Sequence, residues 1–233
     1  MLFKSWPWLE ANKKWLIGAV VAIIVIVGIV NFRASQVEAN EQAAGAALTE
    51  LLMTPPSGAN PADALMALAN KFPGTAAAQR AQLQAAASHF GAARYTDAEA
   101  IFQKFSDANP GSTLAPIALV GLGASLESEG KLDAAGAAYQ RVASTFASTP
   151  SALPALCGLG RIAEAQGKLK EAIDRYQAAA RGGSIGGSLA QEAGMRAMEL
   201  QTKLAAMTPK TTAPATAPVS IPGMTPVTTP AAK

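Results

Sequence analysis

Residues 119–142 read LVGLGASLESEGKLDAAGAAYQRV. In the first half, Leu119, Leu122, Gly123 and Leu126 recur at three- and four-residue steps, which is one apolar face of a helix. Gly130 stands where such a helix stops, because glycine takes the left-handed conformation that ends a helix. Leu132, Ala135, Tyr139 and Val142 then mark a second amphipathic helix. Two short helices cannot bury their apolar faces by themselves, so neighbours of the same kind are required.

Those neighbours exist at a fixed offset of 37 residues. Ala86, Gly123 and Gly160 share one column; Ala93, Gly130 and Gly167 share the next. Ala98, Ala135 and Ala172 follow, then Phe102, Tyr139 and Tyr176. In the third copy, Leu156, Leu159 and Ala163 shape the first helix, and Ala172, Tyr176 and Ala179 the second. The first copy is weaker but in register, with Leu83 and Phe90, then Phe105, ending at Pro110. Small residues let two antiparallel helices cross closely, and the aromatic fills the gap beside them.

The columns resemble the tetratricopeptide repeat, and the resemblance implies an all-α solenoid of helical hairpins. The usual repeat has 34 residues, so the three extra ones are expected in the second helix or its exit loop, Ser144–Pro150. A partial copy precedes the others: residues 61–72 read as a second-type helix and 34–53 as its partner, with Thr54–Gly58 as the break. Gly182–Gly187 reads as a flexible joint. Leu189, Ala193, Leu200 and Leu204 form a terminal helix that seals the open end. The predicted solenoid covers residues 33–207.

From Trp15 to Phe32 the chain reads WLIGAVVAIIVIVGIVNF without a charge. Eighteen helical residues span roughly 27 Å, near the hydrocarbon thickness of a bilayer, and predict a transmembrane helix over 15–32. A signal peptide is the competing reading, but its apolar run would be shorter and would end in small residues, not Asn31-Phe32-Arg33. Lys13 and Lys14 before the span, and Glu38 and Glu41 after it, put residues 1–14 in the cytoplasm and the rest outside. In a bacterium this is the inner membrane and the periplasm. Trp6, Trp8 and Trp15 suit the headgroup layer, and the N-terminal stub is an interfacial foot or a frayed end. Residues 208–233 are rich in Thr, Pro and Ala, with Pro214, Pro218, Pro222, Pro226 and Pro230 every four residues, which predicts a disordered tail. Such a tail reaches a partner or is passive.

Charge narrows the function. The whole chain carries a formal +3, but residues 34–207 hold 13 basic and 15 acidic side chains. The basic excess lies at the two ends, so the array offers no stripe for nucleic acid. With one cysteine, Cys157, and one histidine, His89, neither a disulfide nor a zinc site can be assembled within the chain. Gly182–Gly187 lacks the lysine and the preceding strand of a phosphate-binding loop. Glu127 and Glu129, two apart, point to different helix faces and do not form an acid–base pair. The sequence therefore predicts no enzyme, no cofactor and no metal.

The cytoplasmic stub, single span, helical continuation from Ser35-Gln36-Val37-Glu38 and outer repeat array together resemble the YfgM-like ancillary subunits of the Sec translocon. The resemblance implies a membrane-anchored protein-interaction module, with translocon subunits, a periplasmic chaperone or secreted chains as partners. An envelope scaffold for cell-wall or outer-membrane machinery is the alternative. In such arrays the first helix of each repeat lines the groove. Its candidate residues here are Arg80, Leu83, Ala87, Phe90, Ile117, Val120, Glu127, Cys157, Arg161 and Glu164, with Phe90 and Ile117 as anchors and Arg161 as an orienting charge. An ordinary half-solvated helix face is the other reading of each.

Overall fold

The computed structural model describes residues 13–54 and 60–207. The foot containing Trp6 and Trp8, most of the break at Thr54–Gly58 and the tail 208–233 lie outside the described residues. What is described contains helices and no strands. In chain order they are α1 (Lys13–Met53), α2 (Pro61–Lys71), α3 (Ala76–Gly91), α4 (Tyr95–Ala108), α5 (Ala115–Ser128), α6 (Leu132–Thr145), α7 (Ala152–Ala165), α8 (Leu169–Ala180) and α9 (Gly183–Met207).

Successive helices pack as antiparallel hairpins. The odd-numbered helices also touch one another directly, α1 with α3, α3 with α5, α5 with α7 and α7 with α9, whereas no two even-numbered helices meet among the described residues. The odd helices therefore form the inner layer of a solenoid, and α2, α4, α6 and α8 its outer layer. The burial is continuous along the array. The end of α1 packs with α2 and the start of α3 through Ala44, Leu48, Leu65 and Leu68. The middle cluster joins α3 to α7 around Phe102, Phe105, Leu119, Leu122, Tyr139 and Val142. Tyr176, Ala193, Ala197 and Leu200 belong to the last cluster, between α7, α8 and α9.

The 37-residue columns have a steric cause. A Cβ on Gly121 would lie 2.4 Å from the Phe102 ring, and one on Gly158 would lie 2.4 Å from Tyr139. Likewise Gly123 faces Tyr139 at 2.6 Å and Gly160 faces Tyr176 at 2.7 Å. Tyr139 is thus clasped between the glycine of its own hairpin and that of the next. No side chain larger than hydrogen fits on either side of the ring without displacement.

The hairpin turns use the second column. Gly130 and Gly167 have φ of 77° and 73°, and Ala93 occupies the same left-handed place with φ 58°. At the front, Asn60 accepts from the Ala62 N–H (3.1 Å) and precedes Pro61, fixing the start of α2. Thr75 caps α3 through the Ala78 N–H (3.1 Å). The Ala76 N–H donates to both carboxylate oxygens of Glu41, at 3.0 and 3.1 Å. A carboxylate at a helix N-terminus is favourably placed in the field of the helix, and here it ties α1 to the array.

Two expectations concern the joins between helices. α4 and α6 both have 14 residues and are followed by exits of equal length, 109–114 and 146–151, so helices and loops alike keep the 37-residue period. The Gly182–Gly187 run holds a break in the chain's path, as expected of a joint: α9 begins at Gly183 and kinks at Gly187, whose φ of 51° and ψ of −135° interrupt the helix. α1 has 41 residues, about 60 Å at 1.5 Å per residue, and runs without interruption from the apolar segment into the array. Its apolar part, Val21 to Val30, is exposed, and by length and composition α1 can cross a membrane.

Candidate protein-binding groove

The groove residues named from the sequence fall on four columns of the inner helices, each repeating at the 37-residue offset: 80 and 117; 83, 120 and 157; 87 and 161; 90, 127 and 164. Arg80, Ala87 and Ile117 are exposed, Ile117 by 50%. Phe90 is half-buried against the middle core and meets Tyr95 edge-on at 5.2 Å. Leu83 does not line the groove. It is buried in the middle core with residues of α4 and α5, which corrects its assignment as a contact residue. Val120, its column-mate, is half-buried against the same core. Cys157 is buried within the last cluster, and only its edge reaches the surface. This column turns towards the neighbouring helices because inner helices touch one another.

The last column carries most of the chemistry. Arg161 of α7 reaches back to Glu127 of α5 and donates from Nε to Oε1 (2.8 Å) and from Nη2 to Oε2 (2.8 Å). The phenol of Tyr139 donates to the same Glu127 Oε2 (2.9 Å). The arrangement recurs one repeat on. Arg196 of α9 forks onto Glu164 of α7, with Nε on Oε2 (3.1 Å) and Nη2 on Oε1. Tyr176 leans on Glu164 at 3.5 Å, and Arg196 also donates from Nη1 to Glu199 (2.6 Å). Planar guanidinium–carboxylate forks of this kind fix geometry as well as charge. They clamp α5 to α7 and α7 to α9 across the inner face.

Titration follows from this geometry. Burial alone would raise the Glu127 carboxyl, but the hydrogen bonds and charge of Arg161, with the Tyr139 phenol, outweigh it and hold the carboxyl below its ordinary value. The Tyr139 phenol is pushed up by burial and then by Glu127, and burial with Glu164 pushes Tyr176 up to about 12. Burial also raises the Cys157 thiol, which keeps it protonated and a poor nucleophile. Glu129 serves a different partner from Glu127, as expected of residues two apart. Lys131 Nζ sits 2.7 Å from both Glu99 and Glu129, and with Thr96 and Glu99 it holds the Glu129 carboxyl at about 2.

The structure thus brings together Glu127 with Arg161, and Cys157, Arg161 and Glu164 around one cavity of about 360 Å³ between α7, α8 and α9. Arg80 stands apart from them and makes no ion pair among the described residues. Sequence reasoning missed the two tyrosine hydroxyls and Arg196. The hydroxyls could have been found, because Tyr replaces Phe in the same copies that place Glu in the Phe90 column. Arg196 lies 35 residues after Arg161 and falls out of phase.

Among curated proteins, none matches the chain. Residues 4–208 match the model of a tetratricopeptide repeat-like domain, a range that takes in both the apolar segment and every hairpin described above. By its inner and outer helical layers, its glycine–aromatic clasps and this match, the chain belongs to the tetratricopeptide repeat-like domain family.

Proposed function

We propose that the chain is a membrane-anchored protein-interaction module, not an enzyme, that holds its repeat array on the periplasmic face of a bacterial inner membrane as an ancillary factor of the Sec translocon. The observation that carries the reading is α1. Its first half is apolar and exposed, while Ala44 and Leu48 of its second half are buried in the array and Glu41 caps α3. One helix is therefore both anchor and first inner helix. Span 15–32, array 33–207 and tail 208–233 are the corresponding divisions. Lys13 and Lys14 ahead of the span support a cytoplasmic N-terminus. The family's general use as a binding scaffold supports protein partners. The translocon assignment rests on the resemblance of the whole layout to the YfgM-like subunits. The inner face is graded to suit broad peptide binding: Phe90, Ile117 and Val120 at the front are apolar, and the clamped ion pairs lie at the rear.

A photo-crosslinking residue placed at Ile117 or Ala87, both exposed, tests this in intact membranes. Adducts with channel subunits, a periplasmic chaperone or secreted chains are expected. Adducts confined to cell-wall or outer-membrane assembly proteins would replace the translocon reading with the envelope-scaffold one.

A further inference from the structure

The cavity between α7, α8 and α9 has a charge balance that selects its occupant. Its apolar wall is made by Cys157, Tyr176, Leu189 and Met195. Its two guanidiniums are already engaged, Arg161 with Glu127 and Arg196 with Glu164 and Glu199. Glu192 also lines the cavity and makes no hydrogen bond or ion pair among the described residues. Three carboxylates against two guanidiniums leave the lining net negative, and Glu127 adds a further negative charge behind Arg161.

Building on the peptide-binding reading, we propose that this cavity receives a lysine or arginine side chain from an extended, otherwise apolar polypeptide segment. The cation meets Glu192, and its methylene stem lies along Met195 and Leu189. Long basic side chains combine an apolar stem with a charged tip in the order that such a wall offers. An acidic segment would meet net negative charge. A wholly apolar one would cover Glu192 without giving it a partner, which is costly for a carboxylate. Met195, 61% exposed, is free to repack around stems of different shape.

The test uses the full-length protein in detergent micelles and three fluorescent peptides, Leu-Ala-Lys-Leu-Ala and its Gln and Glu counterparts, read by anisotropy. The Lys peptide should bind about three- to fivefold more tightly than the Gln peptide, the range set by one partly exposed ion pair, and the Glu peptide most weakly. Glu192→Gln should erase the Lys preference, and Met195→Arg should weaken all three peptides by filling the cavity with a tethered cation. Thermal melts of both variants control for folding, since neither side chain is buried. Equal binding of the three peptides, or a Lys preference that survives Glu192→Gln, overturns the site. A Lys preference seen only after residues 208–233 are removed overturns the separate polypeptide as occupant, because the chain's own tail, with Lys210 and Lys233, would then fill the cavity. Peptide binding without charge selection leaves the interaction module standing and removes this site alone. Selective binding without any translocon crosslink does the reverse.

Discussion

The first repeat, α3–α4, and the two that follow share a backbone plan but carry different chemistry in equivalent columns. Where repeats two and three have Gly130 and Gly167, the first has Ala93, held at φ 58°. Where they have tyrosine bonded to glutamate, it has Phe102, and Phe90 stands in the glutamate column. Where Arg161 of the third repeat forks onto Glu127 of the second, the preceding pair of positions holds Ala124 in the second repeat and Phe90 in the first, so no fork forms there. What all three keep is the aromatic ring between the hairpin helices. Shape defines the repeat, and the ionic clamps are an elaboration of its rear half.

If shape is the shared rule, damaging it should hurt both halves alike, and this is the largest effect expected. Gly121→Leu and Gly158→Leu each push a side chain into a ring that a bare Cβ would already approach to 2.4 Å. Each should cost about 3 kcal/mol or more in chemical denaturation. A wide gap between the two costs would break the equivalence of the repeats. Gly136→Ala on α6, where the added Cβ meets only Ile162 at 4.0 Å, is the contrasting case and should gain about 0.5–1 kcal/mol from helix propensity.

The clamps should separate the halves. Glu127→Ala strands the Tyr139 hydroxyl and the Arg161 fork, and should cost about 1–2 kcal/mol, less than full burial would imply because Arg161 is half-exposed. Ala124 has no such partner, so Ala124→Ser should leave the melting temperature unchanged. Acid should sharpen the contrast. The Glu127 carboxyl titrates lower in the folded chain than in the unfolded one, so its contribution is complete above the unfolded value of 4.5 and fades as the pH falls through the folded value. The stability gap between wild type and Glu127→Gln should therefore narrow between pH 6 and pH 3. A gap that is constant over that range would remove the electrostatic account of the clamp.

The smallest effect is a gain. Ala93→Gly puts the residue that the later repeats use at the left-handed turn, and should stabilise the chain by about 0.5–1 kcal/mol in a thermal melt. A loss instead would mean that the alanine methyl group packs usefully in the front repeat.

Which features could be read from sequence follows from what each depends on. The columns Gly123, Ala135 and Tyr139 were legible because close crossing admits few residue types, and a period of 37 repeats the constraint. The helical joining of the apolar segment to the array was legible from an unbroken stretch without proline. Leu83 was misplaced because periodicity tells which face of a helix is apolar but not which neighbour covers it. The contacts between inner helices that cover Leu83 span two repeats. Arg196 stayed hidden for a related reason: the terminal helix follows the Gly187 kink and a different linker, so Arg196 falls 35 residues after Arg161 and out of the period.

Glu41 and the unbroken α1 have a mechanical corollary. A helix that is stiff from the apolar run to the array transmits bearing as well as height. Adding one residue between Arg33 and Glu41 would lift the whole stack by about 1.5 Å and swing it by about 100° around the shaft, like a signpost turned on its pole. The compass direction in which the inner layer looks is thus written into the count of residues along an exposed stretch, 34–40.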